Sequence, residues 1–190
     1  MLKNDDMTIS STDDLESEIL REHSKRQTIA LARWVGHDKN RFKKLMTLFL
    51  RGEYRVTQRS AWIVNECAEG SPELINPWLN PMVAKMQEPG VHGAVPRNVL
   101  RIFASIEIPK SLQGEVVTIC FAYLMNPSSP IAVQVHAMSI LVNISREEPD
   151  LKNEVRAVIE SLLPQGGPAV NARARMVLKA LSRTDKRKGR

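Results

Sequence analysis

A repeat of 37–39 residues constrains this chain more than any other feature of its sequence. Val56, Val95, Val133 and Val170 follow one another at spacings of 39, 38 and 37 residues. Four positions after each anchor stand Ser60, Val99, Ala137 and Ala174. Seven after stand Ile63, Ile102, Ile140 and Val177, and eight after stand Val64, Phe103, Leu141 and Leu178. Eleven after stand Cys67, Ile106, Ile144 and Leu181. Offsets 0, 4, 7, 8 and 11 share one face of an α-helix. A second apolar helical pattern precedes each of these: Leu45/Leu48/Phe49, Val83/Met86, Cys120/Leu124 and Ile159/Leu162/Leu163. A helix pair that recurs at this period cannot bury its apolar face alone, but a stack of such pairs buries a continuous core. No run alternates apolar and polar residues as a half-buried strand would.

The punctuation agrees with this periodicity. A first helix is expected from about Asp14 to Val35, stopped by Gly36, and a second, capped by Asp38, ends at Gly52. Ser71-Pro72-Glu73 predicts an N-cap followed by a first-turn proline. Pro77 and Pro81 should split the helix of SPELINPWLNPMVAKM, because each removes a donor and clashes one turn back. Five positions after the anchors the series runs Ala61, Leu100, Met138, Arg175, and nine after it runs Asn65, Ala104, Val142, Lys179. Positions that face the next repeat turn charged in the last one, which is what a polar end cap requires.

With these repeats the chain resembles the HEAT/armadillo-repeat superfamily. PELINPWLNPMVAKM looks like the first helix of such a unit, and VTQRSAWIVNECA and AVQVHAMSILVNIS look like second helices. The resemblance implies an all-α, right-handed α-solenoid of about four helix pairs with an N-terminal capping helix. Residues 13–183 would form one repeat domain between a disordered acidic N-terminus, 1–12, and a disordered basic tail, 184–190. It also implies a curved scaffold that binds a protein or peptide along its concave face. The second-helix positions that point away from the core are Gln58, Arg59, Trp62, Glu66, Arg97, Arg101, Ser139, Asn143 and Arg173, and they are the expected groove residues. Trp62, between Arg59 and Glu66, is the candidate anchor.

Charge suggests an alternative. The chain carries +6 overall, but residues 1–24 carry −5, residues 25–59 carry +8 and residues 161–190 carry +7. Nucleic acid is therefore a possible partner at the two basic ends, through Lys39, Arg41, Lys43 and Lys44 at one and Arg183, Lys186, Arg187, Lys188 and Arg190 at the other. Scarce aromatics, 5% of the chain, argue against single-strand recognition by stacking.

Chemistry has little to attach to. His23, His37, His92 and His136 show no metal-ligand spacing, and Cys67 and Cys120 stand 53 residues apart, so no metal and no cofactor are expected. No Gly-rich phosphate loop or nucleophile elbow occurs. DNA glycosylases built on this architecture form a distant third reading. They would need a carboxylate on the concave face, yet the seven Asp, at 5, 6, 13, 14, 38, 150 and 185, all miss the second helices. Glu66, near Arg59 and Trp62, is the one substitute. The expectation is thus a non-enzymatic protein. The uncharged stretch Val116–Ser145 is cut by Asn126-Pro127-Ser128-Ser129-Pro130 into halves too short to span a bilayer. The acidic N-terminus lacks the apolar segment of a secretory signal, so a cytoplasmic location is expected.

Overall fold

The computed structural model describes residues 9–146, 148, 150–164 and 166–187, with side chains through Ser182. Ten α-helices and two 3₁₀ turns are formed among them. They are α1 (Thr12–Arg21), α2 (Lys25–Val35), α3 (Lys39–Arg51), α4 (Tyr54–Gly70), α5 (Leu79–Met86), α6 (Ala94–Phe103), α7 (Lys110–Met125), α8 (Ile131–Ile144), α9 (Leu151–Leu162) and α10 (Pro168–Arg187). No strand occurs among the described residues. The chain divides into two compact units, Met1–Ile102 and Phe103–Arg190.

In the first unit, α3 packs on both α1 and α5, and α4 packs on α2, α3 and α1. In the second, α7 packs on α9, α8 on α10, and each pair closes internally as α7 on α8 and α9 on α10. First helices therefore stack on first helices and second on second within each unit, the nearest-neighbour arrangement of helical repeats. The repeat positions make the core. All of the residues at offsets 0, 4, 7, 8 and 11 are buried except Ile106 and Leu178, which are half-buried. Ile106 slips because α6 already ends at Phe103. Within its unit helix α8 packs on α7, α9 and α10, which explains why Val133, Ala137, Met138, Ile140, Leu141, Val142 and Ile144 are all buried along a broad face. No helix among the described residues is long and apolar enough to cross a membrane.

The N-terminal region departs from expectation. The single helix of about 14–35 is two helices, broken at Glu22-His23-Ser24. Ser24 takes an extended conformation, and its hydroxyl accepts a hydrogen bond from the Gln27 backbone N–H, starting α2 afresh. The capping element is thus itself a helix pair, α1–α2. Gln27 is buried and ties the pair together, donating from Nε2 to the Glu18 carbonyl at 2.9 Å and accepting from Arg21 at 3.0 Å. Ser11 and Asp14 form a reciprocal capping box at the start of α1. Hydrogen bonds from the Ser10 hydroxyl and the Ser11 backbone hold the Asp14 carboxyl far below the usual carboxylate range.

Other boundaries follow the sequence. Gly36 ends α2 at φ 53°, a conformation that strains any residue with a Cβ, and its N–H returns to the Ala32 carbonyl. Asp38 caps α3 by accepting from the backbone N–H groups of Asn40 and Arg41. The prolines split the SPELINPWLNPMVAKM segment into the turns Pro72–Leu74 and Asn76–Trp78 followed by α5, whose third residue is Pro81. On α10, Arg175 and Lys179 are exposed whereas Ala61, Leu100 and Met138 are buried. Helix α10 continues to Arg187, past residue 184 where an unstructured tail was expected. Residues 188–190 of that tail, and residues 1–8 of the acidic N-terminus, lie outside the described residues.

Candidate functional site

The expected groove residues divide between the units. In the first, Gln58, Trp62 and Glu66 recur every four residues along α4, and all three are half-buried. Arg97 and Arg101, one turn apart on α6, are exposed. Arg101 pairs with Glu69 at 2.5 Å, and the same carboxylate oxygen accepts from the buried Asn65 side chain at 3.4 Å. Glu69 is seven residues beyond Trp62 and so on the same face of α4. Within this unit the structure thus brings the Trp62 row and the α6 arginines together. In the second unit, Ser139 and Asn143 on α8 and Arg173 on α10 are half-buried. The Ser139 hydroxyl donates to the Val135 carbonyl, and Asn143 donates to the Ala104 carbonyl at 3.3 Å. These two side chains therefore hold backbone.

Arg59 also holds the fold. Its guanidinium donates to the carbonyls of Ile19 at 3.2 Å and Leu20 at 2.7 Å, near the C-terminus of α1. Those carbonyls have no intrahelical partner, and a cation is favoured there. Trp62 meets His23, in the α1–α2 connection, edge to face at 5.9 Å. Arg59 and Trp62 together clasp the first helix pair onto α4 while leaving the Trp62 ring partly open to solvent.

Two constellations escaped the sequence. Ser71, expected as an N-cap, makes no cap bond; it is buried, and its Oγ lies 2.8 Å from His37 Nδ1. Glu73 Oε1 lies 3.4 Å from the same nitrogen. Because both contacts fall on Nδ1, His37 cannot accept a proton from Ser71 while Glu73 orients its other nitrogen, so the three do not make a hydrolytic relay. They instead fasten the α2–α3 turn to the end of α4. Tyr54 and His92 form an edge-to-face pair at 4.6 Å, with Tyr54 exposed. The second unit contains a cleft of about 340 Å³ lined by Leu124, Met125, Gln134, Val158, Leu162 and Val170, among others. The Gln134 amide nitrogen already donates to the Ser129 carbonyl, and Ser161, also at the cleft, donates to the Val158 carbonyl.

The basic candidates are divided as well. Lys39 and Lys43 are exposed. The Arg41 guanidinium lies 4.8 Å over the Trp34 ring and donates to the Trp34 carbonyl, and Lys44 donates to the Ser10 carbonyl. Helix α10 carries Arg183, Lys186 and Arg187 in its last turns, but their side chains are outside the described residues, as are Lys188 and Arg190 altogether.

Burial pushes the Cys67 thiol up to about 12, helped by the nearby Glu66 charge, and burial likewise raises Cys120. Neither is a thiolate nucleophile at neutral pH. No group of three or more His, Cys, Asp or Glu placed to hold a metal occurs among the described residues. Asp13, Asp14, Asp38 and Asp150 stand at helix starts.

Stacked helix pairs, with no strand among the described residues, define a helical-repeat protein. The chain matches the model of the HEAT repeat domain over residues 15–181, and it belongs to that family. No curated protein and no solved structure matches it.

Proposed function

We propose that this protein is a non-enzymatic binding scaffold that holds a protein or peptide against its second helices, with Trp62 and the Arg97/Arg101 row as anchors. One observation carries the reading. A half-buried Trp62 sits in a row of Gln58, Glu66 and Glu69, beside two exposed arginines of α6. Interfaces draw most of their energy from a few such aromatic and arginine anchors that become fully desolvated on binding. The Arg101–Glu69 pair is exposed, with side chains 46% and 53% accessible. Exposed pairs of this kind are worth about 0–1 kcal/mol, so either partner is free to re-pair with an incoming charge at little cost. Family membership supports the scaffold class. A cytoplasmic location, which keeps Cys67 and Cys120 reduced, belongs to the same reading.

The test is affinity capture from the native lysate with and without nuclease, using the wild type and the double variant Trp62→Ala/Arg101→Glu. A specific protein that survives nuclease and is lost with the variant supports the proposal. Equal capture by wild type and variant removes Trp62 and Arg101 as anchors.

A further inference from the structure

Helices α2, α3 and α4 carry cations in their first turns, although Asp38 and Glu53 stand at the N-caps of α3 and α4. Helix α2 opens with Lys25-Arg26, α3 with Lys39-Asn40-Arg41 and α4 with Tyr54-Arg55, and no first turn of the three holds a carboxylate. The N-terminal end of a helix bears partial positive charge and disfavours cations. Helix α1, which opens with Asp13 and Asp14, makes the ordinary choice.

Helix α3 carries a longer row of exposed polar and basic side chains. Lys39, Lys43, Thr47 and Arg51 recur every four residues, about 6 Å apart along the axis, and fall within about a third of the helix circumference. All four are exposed. Helix α3 contains no Asp or Glu, and the one carboxylate between residues 25 and 52, Asp38, is occupied by the backbone of Asn40 and Arg41. Among the described residues Lys39, Lys43 and Arg51 make no ion pair, although the Lys39 charge helps to lower the Glu73 carboxyl, whereas Arg21, Arg26, Arg41, Lys85 and Arg101 each do.

We propose that the solvent face of α3 is a contact surface for the phosphate backbone of a nucleic acid, without recognition of its bases. The inference does not rest on the Trp62 row. Charge complementarity selects the partner. A duplex carries about one negative charge per 1.7 Å of axis, so three rigidly spaced cations find phosphates at once in any sequence. The face holds no aromatic residue on which a base would stack. Neither α2 nor α3 exposes a large apolar side chain for insertion into lipid.

The test measures fluorescence anisotropy of two unrelated 20-base-pair DNA duplexes, a single-stranded RNA of equal length and a poly-glutamate peptide, with the full chain, across a salt series. Wild type binds both duplexes equally. Lys39→Gln/Lys43→Gln/Arg51→Gln weakens binding at least tenfold at low salt and reduces the slope of log affinity against log salt by about 2.7, since each phosphate contact contributes about 0.9. Lys43→Gln alone reduces it by about 0.9. Circular dichroism verifies that each variant remains helical. A control variant on two exposed cations of the other unit, Lys110→Gln/Arg146→Gln, binds DNA as wild type does. RNA binding with the same sensitivity to the triple variant also supports the surface. No binding by wild type at low salt, an unchanged slope in both α3 variants, loss of binding in the control variant, or equal affinity for poly-glutamate overturns the proposal.

Discussion

Arg59 was read from its offset as a partner-binding residue, and the geometry gives it an internal task that can be measured. Its guanidinium donates to the Ile19 and Leu20 carbonyls at 3.2 and 2.7 Å. A hydrogen bond to a charged group contributes roughly 1.5–3 kcal/mol when well formed. One of these two is long and the side chain is only half-buried, so Arg59→Ala should cost about 1–3 kcal/mol in total. The loss is local. Helix α1 is otherwise anchored by only two buried apolar residues, Leu15 and Ile19, and by Gln27. With each 1.4 kcal/mol worth a factor of ten, the amides of α1 should exchange roughly 5- to 150-fold faster in the variant. Amides in α8 and α10, in the other compact unit, should be unaffected. Native-state hydrogen exchange followed by mass spectrometry resolves the two regions. Unchanged exchange in α1, together with a lost protein partner, would refute the clasp and restore Arg59 to the binding surface.

Four further outcomes follow from particular contacts. Hydrogen bonds in the folded state depress the Asp14 carboxyl, so its stabilisation of α1 is fully present above the ordinary carboxylate pKa of 3.8 and is lost as pH falls below it. An NMR titration should show the Asp14 side chain still ionised where Asp residues in the unfolded chain are half protonated. Burial raises both thiols, so a thiol reagent at pH 8 should label neither Cys67 nor Cys120 until denaturant is added; fast labelling of the native protein contradicts their placement. Ser60 Oγ is buried without a partner in the small-residue slot where other repeats carry Val99, Ala137 and Ala174, so Ser60→Ala should raise stability by about 1 kcal/mol in urea unfolding. Replacing the end-cap charges by Arg175→Leu/Lys179→Leu should leave the helices intact but produce concentration-dependent self-association in sedimentation velocity, and a strictly monomeric variant would remove the capping argument.

The sequence made the repeats legible because burial in a helical stack is periodic. Val56 through Leu181 could be placed from spacing alone, and nearly all are buried. Gly36, Asp38, Pro77 and Pro81 act through local backbone geometry, so their roles were readable too. The break before α2 was not read because Leu15, Ile19, Leu31 and Val35 all suit helix. The informative signal was the gap between them: REHSKRQ, residues 21–27, contains no apolar residue, and Ser24 stands three residues before Gln27 as in a capping box. Offsets also put Trp62 and Arg59 on the correct face of α4. They could not show that this face meets His23 and the end of α1, because that contact joins residues about 40 positions apart through a turn whose path the offsets do not encode. Ser71 stands at the N-cap with Pro72 in the first turn as its pattern predicts, but its hydroxyl is committed to His37, 34 residues earlier, for the same reason beyond reach of the offsets.

The two basic stretches look alike in composition and differ in physics. On α10, Arg175 and Lys179 occupy offsets that are mostly buried and apolar in the other repeats, and both are exposed, so their charge keeps that face of the helix hydrated. That role is fulfilled by the fold alone and needs no ligand. Helix α3 has no such excuse, for it packs on α1 before it and α5 after it, and its solvent face is solvent-facing in any case. Uncharged polar residues at positions 39 and 43 would serve the helix equally well, since only Arg51, in the last turn, gains from the dipole. The position within the repeat, which net charge cannot express, therefore separates cations that keep a helix face hydrated from cations that remain available to a partner.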